Sequence, residues 1–434
     1  MSDGLEVVLV MVLFLGLLAA GMAIPFAIGV PAIVYLLLHG GIPALKGIGL
    51  MSWGSMNNRS LSAIPLFILM AEIMQRSGLS YRIYRGLSKL VSPIPGGLLQ
   101  TNIAGCAMFA AISGSSVATA AAIGTVALPQ LTQRGYHRRL AAGSLAAGGT
   151  LGILVPPSIA LIVYGTFTET SVSKLFMAGI VPGIVLTAMF MTYILVHALL
   201  RPEIAPRERG PQTMAEFVTA VGDLLPFAVV IGGTLGSLYT GWATPTEAAA
   251  IGCVTATAVS ALWGKLTLAS LREAMVSAVK ISGNILLIVY TAFVFSYAIS
   301  VAGVGESLTT WLVGLKLARL EFFGALFVLY TILGCLVESL GMIVITVPLL
   351  YPVLLKYGID PVWFGIILVL FIELGQISPP IGINLFVIQS IWDGKIGDIV
   401  LGTIPFHLIM FLLLAMLVFW PEIALWLPHH TGSA

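Results

Sequence analysis

Long apolar stretches, separated by short polar segments, run along nearly the whole of this 434-residue chain. A membrane-spanning helix needs about 20 mostly apolar residues, and these stretches can hold roughly 11 to 14 segments, several of them half-length or re-entrant. The stretches are residues 5–39, 61–75, 97–128, 140–166, 176–200, 222–263, 281–301, 320–355, 362–392 and 399–427. The pattern predicts an all-α, polytopic membrane protein.

Composition supports a membrane protein. Only 9% of the residues are charged and 59% are hydrophobic, whereas soluble domains carry about 25% charged residues. The net charge of +2 comes from Lys and Arg in loops, which indicates membrane orientation and no nucleic-acid surface. Cys106, Cys253 and Cys335 lack metal or redox spacing and are interpreted as buried thiols. The amino terminus has acidic residues before its apolar run and is predicted to be an uncleaved first span.

The chain contains an internal repeat at a constant offset of 223 residues, the distance from Ser116 to Ser339. Over residues 113–183 the identities fall mainly on Pro and Gly, which set backbone geometry. The other matching positions are Pro129 and Pro352, Gly135 and Gly358, Gly152 and Gly375, Pro156-Pro157 and Pro379-Pro380, Gly179 and Gly402, and Pro182 and Pro405. In a membrane protein, helix-breaking residues at matching positions of two halves indicate a transporter whose site lies between the repeats.

The hydrophilic segment 201–213 separates the two halves and is interpreted as part of their linker. The segments that end at Gly78 and Gly303 also resemble each other, which extends the repeat beyond the exact window. The predicted organisation is N-terminal scaffold helices (1–59), repeat 1 (60–200), a linker with connecting helices (201–282), repeat 2 (283–423) and a C-terminal tail (424–434).

Equivalent loops of the two repeats differ in basic charge. The loop with Arg134, Arg138 and Arg139 is basic, whereas its counterpart holds only Lys356, balanced by Asp360. Short cytoplasmic loops collect Lys and Arg, so loops of unequal basic charge are expected on opposite sides of the membrane. We therefore predict that the repeats have inverted topology.

Each repeat is predicted to contain a re-entrant helical hairpin followed by a broken helix. The hairpin tips are predicted over residues 111–119 and 336–344, beside runs of small residues that permit close helix packing. Each hairpin precedes a helix with a double proline, Pro156-Pro157 or Pro379-Pro380, and each pair removes two amide donors from the helix. The carbonyl groups left without donors need other partners, and a bound cation supplies them.

The candidate cation ligands are carbonyl oxygens beside the breaks and hydroxyls at the first tip. They belong to Gly152, Val155, Gly375 and Ser378, and to Ser113, Ser115 and Ser116. Hydroxyls and a helix amino terminus at this tip also suit a carboxylate ligand.

Several polar side chains interrupt the apolar runs of the second repeat. Glu338 and Glu373 are carboxylates at membrane depth, which makes them functional candidates. Gln376 and Asn384 lie in the same broken region and are expected to line a cavity. Glu72, at a predicted helix end, is interpreted as structural.

The sequence has no nucleotide-binding motif of the form G-x-x-x-x-G-K-[ST], no H-E-x-x-H metal motif and no nucleophile elbow. This disfavours an ATP-driven pump and predicts an ion gradient as the energy source.

These segments together resemble the large membrane subunit of tripartite ATP-independent periplasmic (TRAP) transporters over nearly the full length of the chain. The resemblance is carried by AIPLFILMAEIMQRSG (63–78), AAISGSSVATAAAIG (110–124), TLGILVPPSIALIVYG (150–165), AGIVPGI (178–184), GWATPTEAAAIG (241–252) and GQISPPIGINLFV (375–387). Each segment is a weak pattern, but their order and spacing are specific.

The resemblance implies an elevator-type fold of the ion-transporter superfamily, in which hairpins and broken helices carry substrate past a scaffold. It implies sodium as the coupling ion, no cofactor and a location in the bacterial inner membrane. It also implies three partners: a small four-helix membrane subunit, a periplasmic binding protein and an organic acid substrate such as a dicarboxylate.

Site residues follow from the same resemblance. The first sodium site is expected to comprise Ser113, Ser115, Ser116, Gly152, Val155 and Pro157, and the second Gly334, Gly375, Ser378 and Ile381. The expected substrate-binding residues are Ser115, Ser116, Thr119, Glu338, Ser339, Gln376 and Asn384. The chain departs from the family pattern at Glu338-Ser339, where many relatives have a small or aspartate-bearing tip, and this leaves the preferred substrate charge open.

Two other interpretations stay open. One is a stand-alone ion-coupled transporter or exchanger that needs no binding protein. The other is a membrane-embedded enzyme, although no constellation of nucleophile and base lies along the chain.

Overall fold

The computed structural model describes residues 12–335 and 337–431, and all regular elements in these ranges are helical. The predicted first span falls largely on residues 1–11, outside the described ranges, and residues 12–19 that follow are helical. Leu336 of the predicted second tip and the last three residues of the predicted tail also lie outside them.

The helices are labelled in chain order from the first one that is described in full. Up to the end of the first repeat they are α1 (Ile24–Met56), α2 (Ala63–Arg76), α3 (Leu79–Val91), α4 (Leu98–Ser113), α5 (Ser116–Gln133), α6 (Arg138–Gly149), α7 (Leu151–Leu154), α8 (Ile159–Thr168) and α9 (Val172–Leu200). The connecting helices are α10 (Met214–Tyr239), α11 (Pro245–Trp263) and α12 (Leu268–Val301). The second repeat continues with α13 (Val304–Gly314), α14 (Arg319–Gly334), α15 (Ser339–Lys356), α16 (Pro361–Gln376), α17 (Ile383–Ser390) and α18 (Ile396–Phe419), and α19 (Glu422–Thr431) follows it.

The order of helices in residues 63–200 recurs in residues 283–419. Hairpin 1 (α4 and α5) corresponds to hairpin 2 (α14 and α15), broken helix 1 (α6, α7 and α8) to broken helix 2 (α16 and α17), and α9 to α18. Gly135 and Gly358 follow α5 and α15 with φ of +74° and +64°, a left-handed conformation that is costly for other residues. The opposite orientation of the two repeats and the exact domain limits stay predictions.

Local sequence sets the helix ends at the first tip and the first break. Ser115 caps α5, its hydroxyl accepting a hydrogen bond from the Ala118 amide at 3.4 Å. Ser158 caps α8 in the same way through the Leu161 amide, also at 3.4 Å. Such caps satisfy amides that the first helical turn leaves free. Between α7 and α8 lies the Pro156-Pro157 pair, joined by a cis peptide bond as in Pro379-Pro380.

The broken helices lie at the centre of the fold. In the most apolar window of Arg138–Thr168, 94% of the residues are buried, compared with 22% in Met214–Tyr239 and 33% in Val172–Leu200. Helix α16 is buried continuously from Trp363 to Gln376. A helix that is apolar on all sides is buried in protein or faces lipid, so the broken helices fill the interior and α9 and α10 lie nearer the surface.

Eight helices within the described ranges are long and apolar enough to cross a membrane, and α4 and α16 are shorter apolar helices. This mixture of full and partial lengths confirms the prediction of a polytopic, all-helical membrane protein.

Peripheral helices pack mainly on one another. Helix α12 lies along α1, α11 along α2 and α10 along α3. Contact with the hairpins and broken helices, called the central helices below, runs mainly through α3 on α4 and α12 on α15. We refer to α1, α2, α3, α10, α11 and α12 as the scaffold helices. Within this group Asp223 of α10 is 2% exposed and accepts hydrogen bonds from Arg82 at 3.2 Å and Arg85 at 2.6 Å, both on α3.

Candidate substrate and ion site

The tip of hairpin 1 is the turn at Gly114 and Ser115, inside the predicted window. The Ser113 and Thr119 hydroxyls are buried and lie 2.7 Å apart, so one hydrogen bond joins them across the turn. The Ser113 hydroxyl also lies 3.3 Å from the Ser115 carbonyl oxygen. Ser113 and Thr119 therefore hold the turn in shape, and the Ser115 hydroxyl caps the helix that follows.

This tip packs directly on the break of broken helix 1. The Gly114 carbonyl accepts a hydrogen bond from the Ile159 amide at 3.3 Å. A Cβ atom on Gly152 would overlap the Ser115 carbonyl oxygen and lie 2.8 Å from Ser116 Cα. Only glycine permits this approach, which brings backbone oxygens of tip and break into one neighbourhood. Unwound carbonyls arranged in this way are the usual cation ligands of broken helices.

Hairpin 2 and broken helix 2 make an equivalent contact. A Cβ atom on Gly375 would lie 2.8 Å from Gly334 Cα, so the two glycines let the helices touch at the tip. The Cys335 thiol donates to the Pro379 carbonyl at 3.4 Å. The Ser378 hydroxyl donates to the Leu374 carbonyl at 2.7 Å and lies 3.2 Å from His407 Nε2. Each tip thus meets the break of its own repeat.

Both tips line one cavity of about 330 Å³. Ser113, Gly114 and Ser115 contribute from hairpin 1, and Glu338 and Ser339 from hairpin 2. The amino termini of α5 and α15 begin at these residues. Free amides and the helix dipole at such termini favour an anion.

Scaffold helices form the facing wall of the cavity. Glu72 and Gln75 come from α2, and Asn284 comes from α12. Glu72 accepts a hydrogen bond from Arg76 at 3.0 Å, so its charge is paired. The space therefore lies between the central helices and the scaffold helices and offers hydroxyl and amide groups from both.

A second polar group lies behind the first tip. It consists of Ser116, Glu373 and Asn384, together with Gln376, which follows Glu373 by three residues on α16. These four residues, called the buried cluster below, are each at most 2% exposed. The Ser116 hydroxyl donates to Glu373 Oε2 at 3.1 Å and accepts from Asn384 Nδ2 at 2.6 Å. The cluster joins α5 of the first repeat to α16 and α17 of the second.

The structure divides the residues predicted from the sequence into separate groups. Among the predicted substrate ligands, those on the cavity wall are Ser115, Glu338 and Ser339, those in the buried cluster are Ser116, Gln376 and Asn384, and Thr119 bonds Ser113. Among the predicted sodium ligands, Gly152, Val155 and Pro157 lie at the first break, and Gly334, Gly375 and Ser378 at the second tip and break. Ile381 follows the second double proline and is 39% exposed. Ion and substrate binding by these residues stay predictions.

Sequence reasoning missed other polar residues at the site. Gln75 and Asn284 belong to no recognisable motif, and only the packing of α2 and α12 brings them to the cavity. No sequence motif indicated a site role for His407, and the structure places its Nε2 atom 3.2 Å from the Ser378 hydroxyl at the second break. Glu373 is a candidate because it interrupts an apolar run. The structure buries it beside Ser116, and its functional role stays a prediction.

A polytopic helical protein with paired hairpins, paired broken helices and a polar cavity between the tips has the architecture of a solute transporter. The family model of the tripartite ATP-independent periplasmic transporter, DctM component, matches residues 11–423. The chain belongs to this family. It is therefore a multi-pass transport protein of the bacterial inner membrane and not an enzyme.

Similar proteins agree with this family. The chain is 32% identical to a C4-dicarboxylate TRAP transporter large permease protein DctM of Pseudomonas aeruginosa, over 90% of this chain and 91% of that one. It is 30% identical to the sialic acid TRAP transporter large permease protein SiaM of Vibrio cholerae, over 96% and 97%. An isethionate TRAP transporter permease protein DctMQ of Oleidesulfovibrio alaskensis is 32% identical over 94% of this chain and 64% of that longer chain.

Among solved structures, the YdaH transporter of Alcanivorax borkumensis has a similar fold. The TM-score is 0.66 with 15% sequence identity, over 91% of this chain and 90% of that one. At this identity the likeness shows the fold alone.

Proposed function

We propose that this chain is the large membrane subunit of a sodium-coupled importer of an organic acid. It works with a small four-helix membrane subunit and receives substrate from a periplasmic binding protein. The observation that carries the proposal is the meeting of two hairpin tips over one polar cavity, each tip in contact with the broken helix of its own repeat.

An organic acid suits the cavity. The amino termini of two helices and the hydroxyls of Ser115 and Ser339 offer donors to a carboxylate or sulfonate. A volume of about 330 Å³ lies at the lower end of the roughly 300–1,000 Å³ of small-molecule sites, which favours a small acid. Relatives are named for C4-dicarboxylates, isethionate and sialic acid, all of them organic acids.

Sodium is the proposed coupling ion because each repeat places a tip glycine or carbonyl against a double-proline break. The predicted ligands of the first site are Ser113, Ser115 and Ser116 at the tip with Gly152, Val155 and Pro157 at the break. Those of the second site are Gly334, Gly375, Ser378 and Ile381. Cation binding at these positions would hold each tip on its break and so complete the cavity.

An elevator movement is the proposed transport step. The hairpins and broken helices share a buried interior, whereas the scaffold helices pack mainly on one another and contact the central helices mainly through α3 on α4 and α12 on α15. A central body of this kind can move past the scaffold with the cavity on its boundary.

The test is uptake of labelled organic acids by proteoliposomes that contain the chain, its small subunit and the matching binding protein. The proposal expects accumulation of a C4-dicarboxylate or another small acid under an inward sodium gradient, and none under a potassium gradient of equal size. Equal uptake without the binding protein would establish a stand-alone exchanger instead. Sodium-independent accumulation would contradict the proposed coupling.

A further inference from the structure

The buried cluster carries polar atoms with no hydrogen-bond partner in the described part of the chain. They are Glu373 Oε1, Asn384 Oδ1 and both side-chain heteroatoms of Gln376. Leaving a buried polar group unsatisfied costs about 1–3 kcal/mol, and more for a charged group. Native folds satisfy nearly all such groups, so several of them in one place indicate a ligand that completes the set.

The unsatisfied atoms are mainly oxygens. Glu373, Gln376 and Asn384 each present one oxygen that accepts no hydrogen bond, and the Ser116 hydroxyl lies within hydrogen-bond distance of two of these side chains. Gln376 follows Glu373 by three residues in α16, which places the two side chains on one face of the helix. Carboxylate and amide oxygens are the ligands preferred by hard cations.

The charge of the cluster is also unbalanced. None of the ion pairs found among residues 12–335 and 337–431 includes Glu373, whose side chain is 1% exposed. A carboxylate taken out of water needs a compensating positive charge or a proton. One carboxylate balances a monovalent cation, whereas a divalent cation would leave an excess positive charge in the interior.

We propose that Glu373, Gln376, Asn384 and Ser116 form a binding site for a monovalent cation of the size of sodium. It is a third site beside the two predicted at the breaks and shares only Ser116 with the first of them. A cation can take several oxygens as ligands at once. A proton on Glu373 would supply one donor, serve one acceptor and leave the other amide oxygen unpaired.

The site has a mechanical consequence. Ser116 begins α5 at the tip of hairpin 1, and Glu373 and Asn384 stand on the two sides of the break in broken helix 2. A cation shared among them links the tip of one repeat to the break of the other. This role in coupling rests on the proposed function, but cation binding itself can be measured without substrate or transport.

The test is equilibrium binding of radioactive sodium to the purified full-length chain at fixed ionic strength, with Glu373→Gln compared with wild type. The proposal expects one class of sites to lose affinity by about 100-fold or more, as a ligand that carries the charge is removed. The exposed carboxylate Glu306 of the same repeat supplies the matched control, and Glu306→Gln keeps every class of site.

An unchanged number and affinity of sodium sites in Glu373→Gln would overturn the proposal. If that variant also binds one proton fewer in a pH titration, the cluster is a proton site instead. A different result would contradict the proposed function and leave the cation site intact. In that case sodium binding depends on Glu373, but substrate uptake by the complete transporter does not depend on the sodium gradient.

A second variant keeps the test decisive if Glu373→Gln does not fold. Asn384→Asp has nearly the same shape and adds a second carboxylate to the cluster, so it should tighten sodium binding and enlarge the sodium-dependent rise in melting temperature. If the folded Asn384→Asp protein shows the same sodium-dependent rise in melting temperature as wild type, the proposed site is wrong.

Discussion

The substitution Gly375→Ala probes the contact between hairpin 2 and broken helix 2. The added Cβ would lie 2.8 Å from Gly334 Cα and 2.9 Å from the Tyr330 carbonyl oxygen. Both neighbours are backbone atoms of α14, so no side-chain rotation can relieve the overlap. The helix must shift, and the tip of hairpin 2 must move away from the break.

The size of the effect follows from overpacking. Inserting a methyl group into a well-packed site costs about 1–3 kcal/mol. If the strain is released when the tip leaves the break, sodium affinity at this break falls by roughly 5- to 150-fold. Alanine also has a better helix propensity than glycine, by about 0.8–1.0 kcal/mol, and this stabilisation opposes the overpacking. The control Gly324→Ala measures the propensity effect alone. Gly324 lies in α14 with no neighbour within 4 Å of its Cβ position.

The assay is the melting temperature of the purified chain, titrated with NaCl against KCl at constant ionic strength. A ligand that binds only the folded state stabilises it by RT ln(1 + [L]/Kd), so a weaker site needs more ligand for the same rise in melting temperature. We expect a sodium-specific rise in wild type and in Gly324→Ala, and a rise that needs much more sodium in Gly375→Ala. A folded Gly375→Ala protein with the wild-type sodium response would refute the assignment of a cation site to this contact.

Further predictions concern the other break, the scaffold and the cavity. Gly152→Ala, whose Cβ would overlap the Ser115 carbonyl, should weaken sodium stabilisation, whereas Gly236→Ala, with no neighbour within 4 Å, should not; equal titration curves would contradict this. Asp223→Asn removes the charge between two arginines and should lower the free energy of unfolding by about 1.5–3 kcal/mol, seen as a lower melting temperature than that of wild type. Glu338→Gln removes a negative charge from the cavity wall and should lower the uptake KM for a carboxylate severalfold, because like charges repel each other across a small cavity. An unchanged KM would place the substrate away from Glu338.

The hairpins and breaks were predictable because proline and glycine act on the backbone locally. The first tip lies at Gly114 and Ser115, inside the predicted window, and both double prolines interrupt helices where expected. A residue without an amide donor changes its own helix whatever surrounds it. Because the two halves match at a constant offset, the same interpretation applied to the second half.

The contacts across the repeats were not predictable in the same way. Ser116 meets Glu373 and Asn384 across separations of 257 and 268 residues, and these pairs are related to neither the offset nor any local pattern. The sequence predicted Ser116 and Asn384 as substrate ligands, but only packing shows that they lie behind the tip with Glu373. Asn284 reaches the cavity by the packing of α12, and no motif in the sequence around it indicates that packing.

The central claim is that sodium and an organic acid cross the membrane together through the site between the tips. The most direct measurement follows labelled sodium and labelled acid simultaneously in proteoliposomes that contain the complete transporter. The account predicts that sodium and acid enter in a fixed ratio, that each flux requires the other, and that Gly375→Ala reduces both while Gly324→Ala reduces neither. Accumulation of the acid without sodium entry, or the same ratio and rate in Gly375→Ala, would contradict it.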